Sequence, residues 1–185
     1  MKMGIWGDSI TYGGPSEGWV GLLRKFLAST EVEVYNRGIC GDTSKDILKR
    51  FGVESGAINP KTIIFAVGVN DSKYPHGSKA NKVALVSFEE NMDKLVELAI
   101  TRAKRVIIIG LTEVDEMITS KFDSKFLNNE IYKYDDLLRG LASKRGLEFV
   151  QMRGCLDLTK DLEDGIHPNN DGYTKMFELI SGLFK

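Results

Sequence analysis

Short apolar runs rich in β-branched residues alternate with longer amphipathic stretches along this chain of 185 residues. The apolar runs predict strands, and they lie at residues 3–6, 32–35, 62–67, 105–111 and 147–150. The run at 62–67 is almost continuously apolar, which is typical of a parallel strand covered on both faces. This alternation limits the chain to folds in which each strand is followed by a crossover segment.

The segments between and after these runs place apolar residues at helical spacing. The spacing predicts helices over residues 20–28, 88–102, 130–144 and 171–184, and a short helix that begins after Thr43 and Ser44. Ser87 and Glu90 are spaced as a capping box for the helix at 88–102. Strands joined by helical crossovers predict an α/β protein whose five-stranded parallel sheet is covered by helices on both faces.

The composition narrows the class of protein further. Lys and Arg number 25 against 26 Asp and Glu, so the net charge of −1 lacks the basic excess of a nucleic-acid-binding protein. No apolar run approaches the roughly 18 residues of a membrane span, and the first residues, MKMGIWGD, show no signal peptide. The two cysteines, Cys40 and Cys155, are expected to be reduced thiols. We therefore expect one cytoplasmic domain over residues 1–185, in an oligomeric state that the sequence leaves open.

Polar clusters follow several of the predicted strands. They lie at residues 7–10, 36–43, 68–71 and 164–167. In open α/β sheets, ligands bind beyond the carboxyl ends of the strands, near the point where the strand order reverses. We therefore expect these clusters to meet at one edge of the sheet and to form the functional site.

Ser9 is a candidate nucleophile because it directly follows the first strand, where its hydroxyl can face a cleft. Of the two histidines, His76 lies in a polar stretch typical of an exposed loop, whereas His167 follows Asp164 by three residues and precedes Pro168. A carboxylate at this spacing can hold one ring nitrogen and leave the other free to accept the serine proton. Ser9, Asp164 and His167 are therefore the candidate catalytic residues.

A serine nucleophile also requires hydrogen-bond donors that stabilise the oxyanion. The backbone N–H groups of Ser9 and Gly41 and the side-chain amide of Asn70 are the candidates. Taken singly, each signal has a purely structural alternative: residues 7–9 as a helix N-cap, Asp164 as a turn former and Asn70 as an Asx-turn. Their joint occurrence at one predicted edge favours the catalytic interpretation.

The stretch GDSITYG at residues 7–13 resembles the first sequence block of the GDSL, or SGNH, hydrolase family. NRGICGDTS at 36–44, GVND at 68–71 and DGIHPNNDGY at 164–173 are similar to the family's second, third and last blocks. The Ser, Gly, Asn and His of these blocks correspond to Ser9, Gly41, Asn70 and His167. The resemblance implies a three-layer α/β/α sandwich with a flavodoxin-like sheet in the order 2-1-3-4-5. It also implies hydrolysis of small-molecule esters without a metal or an organic cofactor.

The substrate is less constrained than the chemistry. The chain has no room for an inserted cap domain, so we expect an open site walled by residues 12–18, 71–80 and 112–126 and a preference for short acyl chains. Phe122 and Phe126 are candidates to line the acyl pocket, although aromatic residues four apart more often serve ordinary helix packing. Asp8, next to Ser9, is a further candidate for contact with the substrate.

Two other interpretations of the function stay open at this point. The same catalytic residues suit a carbohydrate O-deacetylase or a lysophospholipase as well as a general carboxylesterase. A non-catalytic flavodoxin-like binding module is the remote alternative, and it lacks support because the sequence has no Gly-x-Gly-x-x-Gly or Walker-type loop. Metal-dependent hydrolysis is disfavoured because the two histidines do not have the spacing of zinc ligands.

Overall fold

The computed structural model describes residues 1–184. Five strands form one parallel sheet in the order β2-β1-β3-β4-β5, which confirms the predicted topology. The strands are β1 (Lys2–Gly7), β2 (Glu33–Gly38), β3 (Thr62–Ala66), β4 (Arg105–Ile109) and β5 (Glu148–Val150).

Helices cover both faces of the sheet and complete the α/β/α sandwich. The helices are α1 (Ser9–Tyr12), α2 (Gly18–Phe26), α3 (Ser44–Ile58), α4 (Val69–Ser72), α5 (Leu85–Ile100), α6 (Glu116–Thr119), α7 (Asn128–Arg145) and α8 (Asn170–Ser181). Short 3₁₀ turns lie at Gly14–Ser16, Leu27–Ser29 and Gly182–Phe184. Helix α2 packs against α8, whereas α5 packs between α3 and α7. Across residues 1–184, no helix has both the length and the apolar composition needed to cross a membrane.

The core between sheet and helices is built on aromatic and β-branched side chains. Phe51 of α3 lies edge-on to Trp6 of β1 with ring centroids 4.9 Å apart, and it also contacts Phe65 of β3 at 5.3 Å. All three rings are fully buried. The aromatic cluster therefore ties helix α3, which begins just after Gly41, to the two central strands that lead to Ser9 and Asn70.

Strand β2 is longer than its period-two pattern indicates. The sequence places the end of this strand at Tyr35 and the segment 36–38 in a loop, but pairing with β1 continues as far as the register pair Gly7 and Gly38. The side chains explain the difference. Asn36 donates from Nδ2 to the carbonyl of Thr11 at 3.0 Å, and Arg37 pairs with Glu54. Polar residues are accommodated in β2 because it is an edge strand with partners beyond the sheet.

The predicted capping box of Ser87 and Glu90 is wrong. Helix α5 begins at Leu85 with Ala84 as its N-cap, and the Phe88 N–H already bonds the Ala84 carbonyl at 2.9 Å. Ser87 therefore lies inside the first turn, because packing of the buried Val83 upstream brings the helix start forward. Thr43 is the N-cap of α3, as expected, but the helix has 15 residues and is not short. A capping box that the sequence analysis did not predict forms there: the Asp46 carboxylate accepts the Thr43 N–H at 3.2 Å and its hydroxyl at 2.6 Å.

Candidate active site

Ser9 is placed by a tight turn between β1 and α1. Asp8 is the N-cap of α1 and accepts the Ile10 N–H at 3.0 Å, so Ser9 is the first helical residue and its own N–H lies at the helix N-terminus. Gly7 permits this turn, because a Cβ at that position would lie 2.0 Å from the Thr11 hydroxyl and 2.5 Å from the Ala66 carbonyl oxygen. The helix-cap interpretation of residues 7–9 and the nucleophile interpretation of Ser9 are therefore compatible.

The loop that carries His167 is closed by backbone hydrogen bonds between its two ends. The Glu163 N–H bonds the His167 carbonyl at 2.8 Å, and Leu162 and Pro168 form an isolated antiparallel bridge. Inside this closure, Asp164 Oδ1 accepts the backbone N–H of His167 at 2.8 Å. Asp164 is thus a turn former as well as a partner of the imidazole ring.

A continuous hydrogen-bond chain joins three of the predicted site residues. His167 Nε2 lies 2.8 Å from Ser9 Oγ, and His167 Nδ1 lies 2.7 Å from Asp164 Oδ2. Burial alone would raise the pKa of Asp164, but the hydrogen bonds from His167 and from the Ile166 N–H together hold it below the ordinary value of an aspartate. An ionised carboxylate can only accept, so Nδ1 carries the proton and Nε2 is left to accept from the Ser9 hydroxyl.

Gly41 and Asn70 lie on the other side of Ser9. Gly41 has φ +81°, a conformation that favours glycine. A Cβ there would meet nothing within 4 Å, so this backbone conformation, rather than crowding, explains why the position suits glycine. Asn70 donates from Nδ2 to the Asp42 carbonyl at 3.2 Å. An amide nitrogen has two donor hydrogens, so this bond orients the Asn70 side chain and leaves one N–H for a ligand.

A buried carboxylate connects the two segments that carry Gly41 and Asn70. Asp71 Oδ1 accepts the Ser44 backbone N–H at 2.9 Å and the Ser44 hydroxyl at 2.6 Å, and Asn91 donates to the same hydroxyl at 3.0 Å. Burial raises the pKa of Asp71 to about 6, although its bonds with Ser44 oppose the shift. The connection holds α4, which begins at Val69, against the N-terminus of α3.

A cavity of about 440 Å³ opens beside Ser9, Gly41, Asn70 and His167. We call it the apolar cavity, because much of its wall consists of Ile10, Val69, Phe122, Phe126 and Ile166. Phe126 is buried and Phe122 is partly exposed, and both line this cavity; their contact with an acyl group stays a prediction. The segment at 112–126 forms part of its wall, and the segment at 71–80 contributes Lys73.

A second depression, of about 800 Å³, also borders Ser9 and His167 but is not lined by Gly41 or Asn70. We call it the acidic groove, because its lining within residues 1–184 contains Glu163 and Asp164 but neither lysine nor arginine. Tyr12, Ser16 and Asn170 add further polar groups to its wall. The expected wall segment at 12–18 therefore faces this groove.

Asp8 lies beneath the site rather than at its surface. Its side chain is 3% exposed, and burial raises its pKa to about 7, with the nearby Asp71 adding to the shift. The Ile10 N–H and the charge of His167 favour the ionised form but do not outweigh burial. The structure thus gives Asp8 a capping hydrogen bond, and its contact with substrate stays a prediction.

Sequence reasoning missed several residues of the site. Lys73 and Cys40 line the apolar cavity, and Asp71 connects the loops, yet none stood out in the pattern beyond its nearness to a cluster. Lys73 follows the polar cluster at 68–71 by two residues, and this nearness was the available signal. His76 lies in an exposed loop, as expected.

Comparisons with known proteins identify the family of this chain. The model of the GDSL-like Lipase/Acylhydrolase family matches residues 5–175. The chain belongs to this family, which confirms the resemblance seen in its sequence blocks and the expectation of an ester-hydrolysing enzyme domain. The protein is also 26% identical over 175 residues to a multidomain esterase of Ruminococcus flavefaciens; the match covers 91% of this chain but only 19% of that protein.

Solved structures share the fold at low sequence identity. LAE5, an alpha/beta hydrolase from the metagenome of Lake Arreo, superposes with a TM-score of 0.82 at 21% identity and covers 98% of this chain and 93% of its own. The acetylxylan esterase Axe2 of Geobacillus stearothermophilus superposes with a TM-score of 0.80 at 19% identity over 98% of this chain and 92% of its own. These likenesses support the fold described above.

Proposed function

We propose that this protein is a serine esterase that cleaves carboxylic esters through an acyl-enzyme on Ser9. The observation that carries the proposal is the hydrogen-bond chain from Ser9 Oγ through His167 to Asp164, at 2.8 and 2.7 Å. A serine hydroxyl is a weak nucleophile on its own and becomes effective when a correctly oriented imidazole takes its proton. In this arrangement Asp164 holds the ring and stabilises the imidazolium that forms.

The reaction proceeds in two acyl-transfer steps. Ser9 Oγ attacks the carbonyl carbon while His167 Nε2 takes its proton, and the oxyanion is stabilised by the Ser9 N–H, the Gly41 N–H and the Asn70 amide. His167 then donates this proton to the departing alcohol, and the acyl group stays on Ser9. A water molecule attacks the acyl-enzyme in the same way, which releases the carboxylic acid and restores the serine.

In this proposal the acyl half and the alcohol half of the ester bind in different depressions. The carbonyl oxygen belongs with Gly41 and Asn70, so the acyl group enters the apolar cavity that these residues line. The alcohol oxygen must lie near His167, which protonates it, so the alcohol half extends into the acidic groove. The apolar wall and the absence of a cap segment favour short acyl chains, and Phe122 and Phe126 contact them.

The lining of the acidic groove favours a carbohydrate ester as the substrate, which gives a second candidate function. Its hydroxyl, amide and carboxylate groups suit a polyhydroxylated alcohol, whereas its lack of lysine and arginine within the described chain disfavours a phosphate group. A carbohydrate O-deacetylase is therefore favoured over a lysophospholipase. The structural similarity to an acetylxylan esterase is consistent with this choice.

The decisive test is labelling with a fluorophosphonate probe, followed by peptide mapping. We expect one modified residue, Ser9, and loss of labelling in H167A, because the imidazole activates the hydroxyl. S9A and H167A are each expected to lose most of the hydrolysis of an aryl acetate, and the double variant to lose little more, because the two groups act as a unit. Full activity of S9A would refute the proposal.

A further inference from the structure

The apolar cavity contains a lysine that neither the mechanism nor the family blocks use. Lys73 directly follows α4, which carries Asn70, and its side chain lines the cavity together with Ser9. The Lys82 N–H bonds the Lys73 carbonyl at 2.8 Å and closes the loop between them. The backbone position of Lys73 is therefore well defined at the wall that faces the acyl group.

The Lys73 ammonium lies 5.3 Å from the centre of the Phe126 ring, within the range of a cation–π contact. Within the described part of the chain it forms no ion pair and no side-chain hydrogen bond. The buried Asp8 attracts it at longer range and Lys82 repels it, while Asp123 lines the same cavity with an exposed side chain. The cation is thus held in an apolar wall without a direct counter-ion.

Holding a cation in this position costs free energy. Burial lowers the pKa of Lys73, with the charge of Lys82 adding to the effect and that of Asp8 opposing it. Removing an ammonium from water is unfavourable unless an anion or hydrogen-bond acceptor replaces the lost hydration. A negatively charged group of a bound ligand, placed beside Phe126, would supply that partner.

The acidic groove, which also borders Ser9 and His167, offers only negative charge, whereas the apolar cavity has the Lys73 ammonium in addition to the buried Asp8 and the exposed Asp123. The acidic groove presents Glu163 and Asp164, and no lysine or arginine of residues 1–184 lines it. A substrate with a negative group on its alcohol half would meet these carboxylates, whereas the same group on its acyl half would meet Lys73. The charges therefore discriminate between the two ends of an ester as well as between substrates.

We propose that Lys73 is a specificity-determining residue that selects esters whose acyl half carries a carboxylate, such as half-esters of short dicarboxylic acids. The proposal rests on the proposed function, because it assumes that Ser9 forms the acyl-enzyme and that the acyl group occupies the apolar cavity. In each turnover the half-ester anion and water yield the alcohol, the dicarboxylate dianion and one proton. Lys73 takes no part in proton transfer and acts by pairing with the distal carboxylate.

The test compares two esters with one alcohol and similar acyl length. Hydrolysis of monoethyl succinate and of ethyl butyrate is followed by titration at constant pH, and the ratio of their kcat/KM values isolates the effect of the acyl carboxylate. We expect K73Q to lower this ratio by about tenfold, as for a lost hydrogen bond to a charged group. K73E is expected to lower it further, and K73R to retain most of it.

Lys79 provides the matched control. It lies exposed in the same loop and does not line the cavity, so K79Q makes the same change in net charge at a short distance. We expect K79Q to leave the ratio unchanged and added salt to reduce the wild-type ratio, since screening weakens a partly exposed pair. An equal ratio in K73Q and in the wild type would overturn the proposal.

A second pair of esters tests the assignment of the two halves. O-acetylglycolate and ethyl acetate place the charge difference on the alcohol instead of the acyl group. If K73Q changes the kcat/KM ratio of O-acetylglycolate to ethyl acetate, and not that of monoethyl succinate to ethyl butyrate, Lys73 faces the alcohol and the proposal is wrong. Failure of the proposed function itself would look different, because neither ester pair would then show hydrolysis that depends on Ser9.

Discussion

At the scale of single residues, the site combines groups whose surroundings set their protonation states in opposite directions. Hydrogen bonds keep the pKa of Asp164 low, so it stays an acceptor for the His167 ring at neutral pH. Burial raises the pKa of Asp8, only one residue from the nucleophile, to about 7. The free energy of unfolding therefore depends on pH through both groups, with opposite signs.

Asp8 makes the larger contribution to that dependence. Its carboxyl binds a proton more tightly in the folded state, so it removes stability as the pH rises from about 4 to above 7. D8N keeps an oxygen that can cap Ile10 but does not titrate. We expect the stability of D8N relative to the wild type to increase between pH 5 and pH 8, by up to a few kcal/mol at about 1.4 kcal/mol per pKa unit.

Urea denaturation at pH 5, 6.5 and 8 measures this difference. E148Q is the informative comparison, because the bond from Arg105, which stays charged over this range, holds the pKa of Glu148 below its ordinary value. A group with a lowered pKa contributes stability above its unfolded pKa and loses it only as the pH falls through the folded value. The difference between E148Q and the wild type is therefore expected to stay constant over this pH range. A constant difference for D8N as well would show that Asp8 is ionised throughout.

At the scale of elements, the geometry of the proposed oxyanion donors depends on how the N-termini of two helices meet. Helix α3 follows the Gly41 loop, and α4 carries Asn70 in its first turn. Asp71 joins these helices through Ser44. The separation between the Gly41 N–H and the Asn70 amide is thus set by two connections, the bond from Asn70 to the Asp42 carbonyl and the bonds between Asp71 and Ser44.

D71N is expected to lower kcat by about tenfold with little change in KM, because the Ser44 N–H bonds both carboxylate oxygens, at 2.9 and 3.1 Å, and an amide would place a donor NH₂ at one of these positions. For comparison, N70A removes a donor outright and is expected to lower kcat by 10²–10³-fold, as for other oxyanion-hole donors. D46N is the matched control, since Asp46 also caps α3 but bonds Thr43 rather than α4. Equal kcat values for D71N and D46N, measured on folded protein, would remove Asp71 from this role.

At the scale of the whole molecule, the catalytic groups are held by the core beneath them. Phe51 packs against the rings of Trp6 and Phe65 from the two central strands, and α3 continues from there to the Gly41 loop. The same helix presents Val53 to solvent, with its side chain 80% exposed. These two positions separate the contribution of the core from that of helix propensity.

F51A is expected to lower the free energy of unfolding by about 3–5 kcal/mol, the cost of a large cavity in a close-packed core. V53A removes apolar surface that is already in water, and it is expected to change stability by less than about 0.5 kcal/mol. Chemical denaturation of both variants at one pH gives the comparison. A loss of less than about 1 kcal/mol in F51A would mean that the three rings do not form one packed unit.

Much of the site was predictable because its groups are encoded locally. Ser9 and Asn70 directly follow strands, and Asp164 and His167 share one turn, so recognising the strands was enough to place them at one edge of the sheet. The predicted capping box at Ser87 was wrong because the start of helix α5 is not set by local sequence alone. Its pattern was correct locally, but packing of the preceding segment started the helix earlier.

The sequence by itself determined the alternation of strands and helices, the family and the residues proposed for catalysis, since each depends on neighbours within a few positions. The tertiary structure alone decided that Asp71 meets Ser44, that β2 extends through Asn36, and that Lys73 and Glu163 line two different depressions beside His167. These contacts join segments far apart in the chain. Their geometry depends on how the loops pack over the sheet edge, and no local pattern of residues specifies that packing.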